Sequence, residues 1–297
     1  MVCNTKQNTL YTPIKINLAL HVIGLLENNY HELESLVVFS LCGDKISIEE
    51  AKEDAFHITG PFATQLNNEN SNLILKARDK LRNLATSQNA NCVPVAINLQ
   101  KELPVASGLG GGSGDAAVTL ILLNNLWNLK LTEAKLFKLA AELSADVPAC
   151  LHYLLHKKAL YMSGLGDKLA IIEHMPNFFL LLVNDLEPLS TKSIFDNLNN
   201  KNNKNLDKQY QFATLSDLLN YLTQTRNDLY PSAIKFKPNI VEIHKKVEET
   251  GAIFTTMSGS GATIVGVFET QYQANLAAIS IRKSFPTWFI KLIDCSV

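Results

Sequence analysis

A surplus of charge is the first thing this sequence lacks: 27 basic side chains against 28 acidic ones leave a formal net charge of -1. No long-range field gathers DNA, RNA or an acidic membrane surface, so any anion must be met locally. Paired cysteines are missing too. The five present (Cys3, Cys42, Cys92, Cys150 and Cys295) are odd in number and scattered, and none forms a C-x-x-C, which argues against a disulfide framework or a zinc site and suits a reducing cytoplasm. Long apolar runs are absent: "FFLLLV", Phe178 to Val183, is far short of the roughly 20 residues a membrane helix needs. The opening "MVCNTKQNTLYTP" has neither the basic patch nor the apolar core of a secretory signal. The expectation is a soluble cytoplasmic protein with no nucleic-acid or membrane partner. Its 297 residues, 46% of them hydrophobic, suffice for one large domain or two ordinary ones.

Glycine, by contrast, is concentrated. "PVASGLGGGSG", Pro104 to Gly114, places Gly108, Gly110, Gly111, Gly112 and Gly114 directly ahead of "DAAVTLILLNNLWNL", which has neither Gly nor Pro and predicts a buried helix starting near Ser113. Around this stretch, "KINLALHVIGL" and "SLVVFSL" read as strands joined by the polar connection "LENNYHELE". "NSNLILKARDKLRNL" reads as an amphipathic helix, "VPVAINL" as a strand ending near Leu99, and "LTEAKLFKLAAEL" as a helix capped by Thr132. A second unit is expected from Ala159, where "ALYMSGLGDKL" and "FFLLLVND" read as strands. Between Asp196 and Gln211 the Asn- and Lys-rich run has little to bury and predicts a mobile surface insertion. The final third reads helix, glycine turn, strand, helix. Strands and helices mix without regular βαβ alternation, which favours α+β over a doubly wound sheet.

Consecutive glycines let backbone N–H groups converge on one anion, and a following helix N-terminus adds unpaired donors and partial positive charge. A simple tight turn needs only one or two glycines. The Walker A pattern fails because Asp115, not Lys, follows Gly114. Gly112-Ser-Gly114-Asp-Ala-Ala117 satisfies G-x-G-x-x-A, with Glu133 about twenty residues on, as a dinucleotide fold would require. Glu133, however, opens a predicted helix with no intervening strand.

"PVASGLGGGSGDAA" resembles the second motif of the GHMP family of small-molecule kinases, which act on galactose, homoserine, mevalonate and phosphomevalonate. "PIKINLALHV", "NNYHELESL", "GPFA", "SNLILKA", "SADVPACL", "PLSTKSIF" and "MSGSGATIVGVF", in that order, narrow the likeness to the branch that phosphorylates the 2-hydroxyl of 4-diphosphocytidyl-2-C-methyl-D-erythritol in the non-mevalonate isoprenoid route. The resemblance spans nearly the whole chain.

It implies a two-domain α+β fold. Residues 1–158 would form an N-terminal GHMP domain of ribosomal-protein-S5-domain-2-like type carrying the glycine loop. Residues 159–297 would form a ferredoxin-like α/β-plait domain, with ATP and acceptor meeting in the cleft between the two. It further implies ATP as co-substrate with Mg²⁺, a small-molecule acceptor, and a monomer or homodimer. The loop from Pro104 through Val105, Ala106, Ser107, Gly108, Leu109, Gly110, Gly111, Gly112 and Ser113 to Gly114 would bind ATP, Ser113 also reaching the metal. Asp146 would be the general base with Lys15 beside it. Tyr30 and Phe195 would sandwich the cytosine, His31 would read its polar edge, and Asn17 and Thr191 would bind substrate. The turn Met257 to Ala262 resembles the family's third motif.

Taken singly, these residues have plainer readings: Asp146 as a cap for a helix from Val147, Lys15 as a solvated strand residue, Tyr30 and His31 as an exposed hairpin pair, Met257 to Ala262 as a simple turn. His152 and His156 have the i, i+4 spacing of a metal pair but no third ligand, and read as structural. Three positions depart from the family pattern: Gly114 where Ser is usual, Ile14 where Ala is, and Ser144 where Gly is.

Overall fold

The computed structural model describes residues 8–27, 30–66 and 72–295. Packing divides the chain into two compact units, neither of them continuous in sequence. Unit one takes the described residues up to Ile14, then Leu41–Val105 and Gly110–His156; unit two takes Lys15–Ser40, Ala106–Leu109 and everything from Lys157. The last of these crossings falls between His156 and Lys157, and the two early segments of unit two lie outside a simple division into halves.

Unit one contains a four-stranded sheet of β1 (Thr9–Tyr11), β4 (Lys45–Glu50), β6 (Val95–Gln100) and β5 (Ala55–Thr59), in that spatial order, antiparallel except for the β5–β6 pair. Its helices are α1 (Leu73–Ser87), α2 (Gly111–Leu126), α3 (Glu133–Ala141) and α4 (Val147–His156). Helix α1 is amphipathic, burying Ile74, Ala77, Leu81 and Ala85 at helical spacing, and Asn72 caps it by accepting from the Ile74 N–H. Helix α2 packs against α1, α4 and β4. Its Val118, Leu120 and Leu123 are fully buried, each worth about 1.5–3 kcal/mol. Thr132 caps α3 as expected, accepting from the Lys135 N–H. No strand stands between α2 and α3, which removes the dinucleotide-fold reading of Glu133.

Unit two has two sheets. The first runs β2 (Ile14–Leu25), β3 (His31–Ser40), β7 (Leu160–Gly164), β8 (Lys168–Ile171); its β2 starts at the last residue of unit one. The polar connection is shorter than expected, since β3 already begins at His31. The second sheet runs β10 (Phe254–Met257), β11 (Ile264–Phe268), β9 (Phe179–Asn184), β12 (Phe289–Asp294), antiparallel throughout. Helices α5 (Thr191–Asp196), α6 (Leu215–Leu222), α7 (Tyr230–Phe236) and α8 (Asn239–Glu249) lie between β9 and β10 in sequence, and α9 (Gln271–Ser284) lies between β11 and β12. Numbered as four successive strands, the sheet order is 4-1-3-2 with a helical crossover after the first and third, the ferredoxin-like plait. Ile240, Ile243 and Val247 of α8 and Ala274, Ala277 and Ile281 of α9 join Leu181, Val183 and Ile264 in one core. A Cβ on Gly266 would lie 2.5 Å from Val247 Cγ1, so glycine there sets how closely α8 approaches the sheet.

The Asn-rich run after Asp196 departs from its expected character. Its backbone is held by side chains from elsewhere: the Leu206 N–H donates to Glu34 Oε2 (2.7 Å) and the Gln209 N–H to Tyr161 Oη (3.0 Å). Asn203 Nδ2 donates to the Val22 carbonyl (3.0 Å), and Leu198 and Leu206 are buried. Two leucines among many asparagines suffice to anchor it, because distant partners satisfy its polar backbone. Among the described residues no helix is long and apolar enough to cross a membrane.

Candidate active site

In the glycine loop, Gly108 (φ +77°) and Gly110 (φ +65°) occupy the left-handed region, and a Cβ on Gly108 would lie 2.4 Å from the Ser258 carbonyl oxygen. Helix α2 starts at Gly111, two residues earlier than expected, because Gly110 in that conformation turns the chain straight into the first helical residue. Gly110 has no side chain to cap the turn, so the first-turn N–H groups are left for another acceptor. Ser113 is buried, its hydroxyl 3.1 Å from that of Ser144. Ser144, one of the departures, therefore supplies a partner that glycine could not. Gly114 is sterically required: a Cβ there would stand 2.5 Å from the Pro13 carbonyl oxygen. Asp146, half-buried, immediately precedes α4, and its carbonyl accepts from the Cys150 N–H (3.2 Å).

Within unit two, strand periodicity places Lys15, Asn17 and Ala19 on one face of β2. Lys15 is 6% exposed, against the solvated-strand reading, and its Nζ donates to Asn17 Oδ1 (3.4 Å). Asn17 Nδ2 donates to Ser35 Oγ (2.7 Å), which donates to the Ala19 carbonyl (2.6 Å). The Asn17 N–H donates to Ser258 Oγ (3.1 Å), and that hydroxyl donates to the Gly108 carbonyl (2.9 Å). The Lys15 N–H reaches the Leu109 carbonyl (3.0 Å), and Thr263 Oγ1 donates to the Ser107 carbonyl (2.6 Å). The lysine strand, the front of the glycine loop and the turn at Met257 to Ala262 thus share one buried polar network. Sequence reading missed Asn227, whose Nδ2 donates to the Met257 (2.6 Å) and Gly259 (2.8 Å) carbonyls and so fixes that turn. Within that turn the Ser260 hydroxyl lies 2.8 Å from that of Thr191.

A further pair gathers at the start of β3. The His31 and Phe195 rings are 5.1 Å apart, tilted by 34°. His31 Nε2 is buried with no hydrogen-bond partner among the described residues. Burial, then the nearby Lys201 charge, lowers the His31 pKa, so at neutral pH the ring offers one donor and one acceptor. Tyr30 is 64% exposed. His152 and His156 stack 4.5 Å apart in α4, and His156 Nε2 lies 3.2 Å from Glu133. Burial, then His156, lowers the His152 pKa to about 4.

Comparison with known proteins agrees with this arrangement. The GHMP kinases N terminal domain matches residues 72–153 and the GHMP kinases C terminal domain residues 206–287. A 4-diphosphocytidyl-2-C-methyl-D-erythritol kinase of Bartonella bacilliformis is 40% identical over 95% of this chain and 92% of its own. The enzyme of the same name from Chelativorans sp. is 43% identical over 94% and 93%. The crystal structure of a 4-(cytidine 5'-diphospho)-2C-methyl-D-erythritol kinase superposes with a TM-score of 0.77 at 26% identity, covering 97% of this chain and all of that one. A homoserine kinase from Cytophaga hutchinsonii, at 16% identity and a TM-score of 0.65, shares the fold. With motifs, fold and near-full-length relatives in accord, the chain belongs to the GHMP kinase family, in its 4-diphosphocytidyl-2-C-methyl-D-erythritol kinase branch.

Proposed function

We propose that this protein transfers the γ-phosphoryl group of ATP to the 2-hydroxyl of 4-diphosphocytidyl-2-C-methyl-D-erythritol, releasing ADP. The observation that carries the reading is the buried network joining Lys15 and Asn17 to Gly108 through the Ser258 hydroxyl, which supports a built link between the acceptor residues and the nucleotide loop. In the transfer, the acceptor oxygen forms a bond to the γ-phosphorus as the bridge to the β-phosphate breaks, and the hydroxyl proton passes to Asp146. Lys15 offsets charge on the transferring group. The N–H groups from Gly108 to Ser113 hold the phosphates, the Gly114 N–H being taken by the Gly110 carbonyl (2.9 Å), with Pro104, Val105, Ala106 and Ser107 shaping the approach. Tyr30 and Phe195 stack on the cytosine, His31 bonds its edge, and Asn17 and Thr191 bind the remainder.

Among the described residues no group of three His, Cys, Asp or Glu side chains is placed to hold a metal. Ser113, in the first turn of α2, would serve as the protein ligand to Mg²⁺ carried on nucleotide phosphates and water. Bound so, the ion would screen the β- and γ-oxygens.

The test is ADP release with the cytidine compound, homoserine and mevalonate offered separately. Turnover is expected with the cytidine compound alone, and Asp146→Asn should slow it by about 10²-fold or more. Turnover on homoserine or mevalonate, or an Asp146→Asn enzyme as fast as its parent, would refute the assignment.

A further inference from the structure

Behind the first turn of α2 lies an ionic cluster that the mechanism above leaves unused. Lys101, just after β6, donates through Nζ to Asp44 Oδ2 and to Asp115 Oδ2 (3.1 Å). The side chains are 4%, 0% and 5% exposed. Asp44 Oδ1 also accepts the N–H groups of Glu102 (2.6 Å) and Leu103 (2.9 Å), so one carboxylate grips the backbone leading into the glycine loop. Asp115 lies just past the loop, in α2, where Thr119 Oγ1 donates to its carbonyl (2.8 Å). The cluster also touches the helix start: a Cβ on Gly111 would sit 3.3 Å from Lys101 Nζ and 3.5 Å from Asp44 Oδ2. Residues 101–103 and 111–115 are therefore joined through one ammonium, and residues 104–110 form a loop clipped at its base.

Burying an ammonium with two carboxyl groups is costly, and well-packed apolar side chains of similar volume are often as stable or more so. Stability alone is thus a weak account of this cluster. What it supplies that apolar packing does not is direction: charge-assisted bonds fix where the first turn of α2 points relative to the strand that feeds the loop. Burial works to lower the Lys101 pKa, but Asp115 and Asp44 outweigh it and raise the value, so the ammonium persists at neutral pH; burial, only partly opposed by Lys101, pushes the Asp115 carboxyl up to about 8.

We propose that Lys101 is a positioning residue for the nucleotide: by bridging Asp44 and Asp115 it clips the two ends of the glycine loop so that the loop N–H groups are preset for a triphosphate. Such preorganisation lowers the ordering cost of binding. The inference rests on the reading of the loop as the ATP site. It predicts an effect on ATP affinity alone, because the Lys101 ammonium is engaged by Asp44 and Asp115 and acts only through the backbone they hold.

The test compares Lys101→Met and the double variant Lys101→Met/Asp115→Asn with the parent, reading kcat and both KM values, with folding checked by circular dichroism. The single variant leaves two buried carboxyl groups uncompensated, so the double variant carries the argument if the single one does not fold. The expected result is a KM for ATP raised about 10-fold or more, with kcat within about threefold and the acceptor KM within about twofold. A folded double variant whose ATP KM stays within about twofold of the parent, or whose acceptor KM rises equally, overturns the proposal. Hydrogen exchange of the parent with and without ATP and magnesium separates the two readings. If ATP slows exchange across residues 108–114 but the variants bind it normally, only the clip is wrong; if ATP leaves those amides unchanged, the loop reading has failed and the clip with it.

Discussion

Alanine should destabilise the protein at Gly114 and stabilise it at Gly112, two residues earlier in the same helix. Both lie in the first turns of α2, where alanine has a propensity advantage over glycine of about 1 kcal/mol. A Cβ at Gly112 meets only Leu73 Cδ1, at 3.8 Å, an ordinary contact, so the gain of about 0.5–1 kcal/mol should survive. A Cβ at Gly114 meets the Pro13 carbonyl oxygen at 2.5 Å and Pro13 Cδ and Thr12 Cβ at 3.4 Å. Pro13 cannot easily retreat. Its neighbour Thr12 donates its N–H to the Asp44 carbonyl (2.8 Å) and accepts from the Gly43 N–H (2.9 Å). Overpacking against a held backbone costs about 1–3 kcal/mol; taking the upper value against the propensity gain leaves Gly114→Ala roughly 2 kcal/mol less stable than the parent. Urea denaturation followed by far-ultraviolet circular dichroism should then separate the two variants by roughly 2–3 kcal/mol, with unchanged m-values. Equal stability of the two, or a Gly114→Ala protein more stable than its parent, would refute the steric argument.

Two other expectations are as direct. Asp54, which accepts from Arg82 through both oxygens, has its pKa lowered to about 2, first by the Arg82 hydrogen bond, against the opposing effect of burial. A depressed carboxylate contributes stability above its unfolded value near 3.8 that is lost as pH falls through about 2. Acid titration should therefore show Asp54→Asn losing less stability than the parent across that window, and parallel curves would contradict the assignment. Ser258→Ala removes a hydroxyl that satisfies both the Asn17 N–H and the Gly108 carbonyl, and should cost about 1–3 kcal/mol in denaturant unfolding while lowering kcat/KM; a variant unchanged in both would exclude Ser258 as the link.

The residues legible in the sequence were those whose chemistry is written locally. Five glycines ahead of an apolar run announce a backbone cradle, and the Asn72 and Thr132 caps are read from the side chain at the boundary. Elements whose reason is distant were missed. The four-residue strand β10 shows little pattern of its own and exists because β11 pairs with it. Asn227, like Asp44 in the ionic cluster, sits in an ordinary polar stretch; its value comes from carbonyls 30 and 32 residues away that nothing in its own neighbourhood indicates. The Asn-rich run was misjudged for the same reason, since Glu34 and Tyr161, which satisfy its backbone, lie far from it in sequence.

Strand β3 pairs with β7 from Leu33↔Gly164 to Val37↔Leu160, partners more than 120 residues apart. During synthesis from the N-terminus, Leu36 and Val37, both fully buried in the finished protein, emerge with β2 but long before β7, which pairs with the second edge of β3. A polypeptide truncated after unit one's last helix would carry that strand with β2 on one edge, its other edge unpaired and an apolar face to hide. Such wide separation favours slow folding and exposes the nascent chain to aggregation, so assistance from chaperones should matter more for this enzyme than its moderate size suggests.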